Sequence, residues 1–178
     1  MTDQFKDEAE KSIYIATYQD LDGSNYTLGG IDVKFASGQD GSASFLIGGG
    51  ADFANKKYEF ITELRGKLNY TDNFNCNARV RAKAGSTNGD MSQICEFRLS
   101  PVAADIPVSK NTSIYLNPYY KLKSDLHGKT SHHVGAFTGV SHKLSNKISG
   151  FAEVECNDVL KRNLQQNTSI NLGLRVNF

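Results

Sequence analysis

The chain has no tryptophan, two methionines, three prolines and three cysteines in 178 residues. Three prolines leave long stretches free to make ladder hydrogen bonds. Three cysteines cannot all pair within one chain, and none stands in a Cys-x-x-Cys spacing, so neither a disulfide framework nor a zinc site is expected. Cys76, Cys95 and Cys156 each fall in phase with apolar neighbours such as Phe74, Phe97 and Val154, as small hydrophobic side chains do. No charge excess exists either: 20 Lys+Arg stand against 19 Asp+Glu, which argues against a nucleic-acid partner. No segment approaches the roughly 18 consecutive apolar residues of a spanning helix. Mean hydropathy is −0.43, which does not argue against a membrane barrel, whose strands alternate and average out polar. An apolar export leader is also missing, since residues 1–12 are charged. An exported barrel therefore implies a mature form whose leader has been removed, with Met1 supplied for expression.

What is present is alternation. Ile170, Leu172, Leu174, Val176 and Phe178 share one strand face, and Ser169, Asn171, Gly173, Arg175 and Asn177 the other. The same pattern recurs along the chain. It predicts about ten strands, near 12–18, 25–36, 42–53, 57–70, 74–85, 92–101, 112–123, 131–144, 147–157 and 168–178. An eight-strand count is the nearest alternative. The clearest hairpin joins 57–70 to 74–85. Tyr58, Phe60, Thr62, Leu64 and Leu68 form its apolar face with Phe74, Cys76, Ala78 and Val80. Glu59, Glu63, Arg65, Lys67 and Asn69 lie on the polar face with Asn75, Asn77, Arg79, Arg81 and Lys83. Strands of this length cross a bilayer when tilted.

Short turns at 71–73 and 145–147 fall on the side of the C-terminus. Longer connections at 86–91, 124–130 and 158–167 fall on the other, as in membrane barrels. Two connections fit less well. The 102–111 segment is long for a turn, and 54–56 is short for an outer loop. Pro118 predicts a bulge, and Gly48-Gly49-Gly50 a bend. A helical turn or two is expected at most within 155–165.

The terminal octet resembles the β-signal of bacterial outer-membrane proteins. That signal is a polar residue, any residue, Gly, two of any kind, a hydrophobic residue, any residue, then an aromatic. Asn171, Gly173, Val176 and Phe178 fill those places. The resemblance is to small outer-membrane β-barrels as a group, with no subfamily specified. It implies residence in the bacterial outer membrane and insertion by the barrel-assembly machinery, with these four residues as the assembly signal.

The expected fold is all-β, a single closed antiparallel up-and-down barrel spanning the membrane, with residues 1–178 as one domain and 1–11 as a polar lead. The polar phases would line the lumen. They carry Lys34, Arg65, Lys67, Arg79, Arg81, Lys83, Arg98, Lys121, Lys123, Lys143 and Arg175 against Asp32, Asp52, Glu59, Glu63, Glu96, Glu153 and Glu155. A narrow barrel filled with such groups is held shut by ion pairs, such as Glu59 or Glu63 with Arg79 or Arg81. Any pore that remains would prefer anions.

No catalytic residue, metal ligand or cofactor is expected. His132 and His133 point to opposite strand faces, Ser44, Ser131 and Ser141 have no flanking nucleophile motif, and no phosphate-binding glycine loop is present. The function expected is non-enzymatic: a structural or surface-interaction role, or a narrow solute pore with slight anion preference. Its partners would be the lipid bilayer and the assembly machinery. The alternative is a soluble lipocalin-like barrel that binds a small apolar ligand. It inverts the phases, with Leu, Val and Phe inside.

Overall fold

The structure is a computed structural model that describes residues 10–20, 25–125, 127–160 and 168–178. Ten strands follow one another: β1 Glu10–Asp20, β2 Asn25–Gly38, β3 Gly41–Asp52, β4 Lys57–Asn69, β5 Phe74–Thr87, β6 Asp90–Pro107, β7 Thr112–Asp125, β8 Thr130–Lys143, β9 Ile148–Cys156 and β10 Thr168–Asn177. Each pairs antiparallel with its sequence neighbour, and β1 pairs with β10, so the sheet closes with no free edge. At the seam Ile13 faces Val176, Ile15 faces Leu174 and Thr17 faces Leu172.

The apolar phase points outward. Ile15, Ile47, Phe60, Leu64, Val80, Leu116, Leu172 and Leu174 are all exposed. The soluble alternative needs these side chains inside, and the structure overturns it. The polar phase points inward, and the contacts prove it. Asp32 on β2 meets Arg65 on β4 and Arg175 on β10, and Arg98 on β6 meets Glu155 on β9. Those strands are not neighbours, so their side chains meet only through the interior.

Three expectations about connections need correction. The 102–111 segment is mostly strand: β6 runs to Pro107 and leaves 108–111 as the turn. The 86–91 loop shrinks to Asn88-Gly89, because β5 extends to Thr87 and β6 starts at Asp90. Both turn residues have positive φ, 52° and 96°, the two-residue hairpin turn whose twist matches its strands. The 124–130 connection likewise shortens to 126–129. The described part of the 155–165 window ends β9 and enters a turn without forming a helix; 161–167 lie outside the described residues.

The bulge expected at Pro118 sits on the partner strand instead. Pro118 keeps register with Ala136 on β8. Between Leu99 and Ala104 β6 carries one extra residue against β7, and against β5 its register shifts between Asn75 and Asn77. The extra residue flips the phase of β6. Ser100 is buried before it and Ala103 after it, while Val102 and Ile106 point out. The Gly48–Gly50 run makes no break, since β3 is continuous from Gly41 to Asp52. Its role is spatial: a Cβ at Gly50 would lie 1.8 Å from the Tyr26 hydroxyl, so only glycine leaves room for that ring.

Candidate functional site

In the lumen, strand register collects charge. At one level Glu63, Arg81, Glu96 and Lys123 stand side by side on β4 to β7, alternating in sign. At the next level Arg65, Arg79, Arg98 and Lys121 stand side by side, all cationic.

Glu63 is the hub of this network. It is 1 % exposed and accepts from Arg65 Nε and from Arg81 Nε, with Arg79 Nε 3.5 Å away. Asp32 Oδ2 accepts from Arg65 Nη1 and Arg175 Nη2, each at 3.1 Å. Glu96 lies 3.4 Å from Lys83 Nζ and 3.8 Å from Arg79 Nη2. Glu155 Oε1 accepts from Arg98 Nη2 at 3.1 Å and from the Tyr119 hydroxyl at 2.7 Å. Glu59 pairs with Lys57 at 3.3 Å and lies 3.9 Å from Lys83, not with Arg79 or Arg81 as the hairpin alone suggests. Lys121 donates to Asn157 at 2.7 Å, Lys67 lies 3.9 Å from Asp105, and Glu153 accepts from Asn171 Nδ2 at 2.7 Å.

The lumen is less polar than its sequence phase suggests. Ala16, Leu28, Leu46 and Ile61 are buried inside it beside Tyr14, with Tyr18, Tyr26 and Phe151 packed against them. These four interrupt the polar phase of β1 to β4 and close that wall with an apolar plug. Tyr14 and Phe151 stack at 5.8 Å with planes 7° apart, and the Arg98 guanidinium lies over Tyr119 at 4.3 Å and over Phe137 at 5.3 Å. A cavity of about 630 Å³ remains, reaching from Tyr18, Arg81 and Glu155 to the turn end at Lys67 and Asn177.

The terminal octet divides between the two faces. Asn171 is fully buried on Glu153, and Gly173 lies under the Phe151 ring, where a Cβ would come within 2.3 Å. Val176 and Phe178 point outward, and Phe178 N donates to Lys11 O at 3.0 Å across the seam.

One group escaped the sequence reading. His133 Nδ1 lies 3.3 Å from Asp158 Oδ2, and its Nε2 lies 3.0 Å from Ser131 Oγ. Alternation puts Ser131 and His133 on one face, but no period reaches Asp158. Val159 N donates to Val134 O at 2.8 Å beside this chain of contacts, so together they pin Asp158 and Val159 against β8. His132 faces outward and bonds Tyr120 instead.

No protein-family model matches the sequence, and no curated relative does. Solved structures do resemble it. The NanC porin superposes with a TM-score of 0.51 at 10% identity, over 93% of this chain and 98% of that one. The fold is that of a bacterial outer-membrane β-barrel. A KdgM porin, solved in complex with disordered oligogalacturonate, gives a TM-score of 0.42 at 15% identity over 94% of this chain and 99% of that one. A loop L8 deletion mutant of OmpT, an outer membrane protein of Vibrio cholerae, gives 0.43 at 15% identity over 86% of this chain. The chain spans 54% of that OmpT variant's length. An outer-membrane barrel of ten strands fits the geometry above, with an apolar belt outside and charges within.

Proposed function

We propose that the protein is an integral component of the bacterial outer membrane whose lumen is held nearly shut, serving a structural or surface-interaction role without catalysis. Limited passage of small solutes, with slight anion preference, is the most its bore supports. The observation that carries this reading is the lumen itself, where paired charges and the plug of Leu28, Leu46 and Ile61 narrow the bore to the cavity described above. Five arginines, Arg65, Arg79, Arg81, Arg98 and Arg175, line the remaining cavity and supply the anion preference. The exposed apolar belt is a surface that water disfavours and a bilayer accepts.

Planar-bilayer recording under two salt gradients tests this. Little or no steady conductance is expected, and any residual current should favour anions. A large cation-selective current would contradict both the occlusion and the charge assignment.

The barrel-assembly machinery is the second proposed partner, through Asn171, Gly173, Val176 and Phe178. Their split between lumen and outer face gives each a structural reason to be present. Deleting Phe178, or Phe178→Ala, should lower the amount of inserted protein in cells while synthesis continues. Outer-membrane levels equal to wild type for both variants would mean that the match to the signal is accidental.

A further inference from the structure

The row of Arg65, Arg79, Arg98 and Lys121 is unfavourable as it stands. Like charges directly opposite on neighbouring strands destabilise a sheet. The carboxylates nearby do not serve its members equally. Glu63 accepts its hydrogen bonds from Arg65 and Arg81. Arg79 is left 3.5 Å from Glu63 and 3.8 Å from Glu96, and its Nε and Nη2 make no hydrogen bond. Nε of Arg98, directly opposite on β6, makes none either. These nitrogens are sealed from solvent and leave each guanidinium under-compensated, and the part of each side chain that stays accessible, 15% for Arg79 and 12% for Arg98, is what an anion can reach.

Both arginines line the 630 Å³ cavity, which reaches the turn end. Phe137, already under the Arg98 guanidinium, lines it too, as do Tyr115 and the stacked pair Tyr14 and Phe151. Cationic forks therefore share one chamber with aromatic surface. A guanidinium fork matches a carboxylate or phosphate group, and aromatic faces accept a flat ring.

We propose that this cavity binds a small organic anion, its carboxylate or phosphate held by Arg79 and Arg98 and its ring against the aromatic wall. The site rests on the anion-preferring lumen described above and deepens it. Where that reading gives only a preference in passing current, a binding site retains its ligand and saturates.

Titration of the full chain, folded in detergent at low salt, tests it. The probes are benzoate, phenyl phosphate and inorganic phosphate, followed by heat and by tyrosine fluorescence. Benzoate and phenyl phosphate should saturate, inorganic phosphate should bind more weakly, and Arg79→Gln should weaken the two ring probes by about tenfold or more. Lys110→Gln, on the turn after β6, should change nothing. If Arg79→Gln fails to fold, Arg98→Gln carries the same expectation. No saturable signal, or unchanged affinity in the arginine variant, overturns the site. Inorganic phosphate binding as tightly as phenyl phosphate overturns the role of the ring. Each of these outcomes leaves the barrel standing, whereas a cation-selective current in the bilayer recording would remove the reading beneath the site.

Discussion

Replacing Glu63 with glutamine should be the most damaging single change in the lumen. Glu63→Gln keeps the shape and removes the charge that faces Arg65, Arg79 and Arg81. Glu63 is almost fully buried, so water cannot take over. Breaking a buried pair while leaving its partner charged costs about 3–5 kcal/mol. Here three guanidinium groups lose one shared carboxylate, and the neighbouring cationic row aggravates the repulsion. By contrast, Lys34→Gln breaks a pair with Glu10 at 2.6 Å that is largely solvent-exposed. That loss should stay under about 1 kcal/mol. Denaturant unfolding in detergent compares the two. Equal losses would mean that the lumen is wet enough to screen its charges, and the occluded barrel would have to be abandoned.

The fold was legible because alternation is a property of local sequence. Each strand of the clear hairpin 57–70 and 74–85 states its own inward and outward faces, and the structure keeps them. Alternation fails where the phase changes, as at the bulge in β6. There the apolar and polar sets exchange parity between Ser100 and Ala103, and the stretch from 102 onward reads as a loop. The turn at Asn88-Gly89 was written in the sequence, since two residues that tolerate positive φ stand together. It was obscured because the strand ends beside it, Gly85–Thr87 and Asp90–Gln93, carry few apolar residues to mark a phase.

The site was only half legible. Charged residues on the polar phase could be named from sequence, but their arrangement could not. Positions 65, 79, 98 and 121 follow no period, and only the register across three hairpins makes them one row. The inner plug was missed for a related reason. Leu28, Leu46 and Ile61 each look like isolated exceptions to a polar face, and only closure of the barrel brings them together.

The claim beneath all of this is that the apolar phase meets lipid while the charged phase fills the lumen. Arginine placed on the two phases of one strand pair tests it most directly. Leu64 and Val80 are opposite one another on β4 and β5, and Leu174 lies on β10; all three are exposed on the outer face. Asn69 and Asn77 lie on the opposite phase of the same hairpin, with Asn77 lining the cavity. In lipid, a guanidinium near the midplane has neither water nor a counter-ion, and the loss should be about 2–4 kcal/mol for Leu64→Arg, Val80→Arg or Leu174→Arg. Asn69→Arg and Asn77→Arg should lose clearly less, because their side chains enter a polar chamber or its rim. Unfolding of all five variants in lipid vesicles gives the comparison. The account predicts two separated groups with the outward set the less stable; equal losses, or the reverse order, would contradict it.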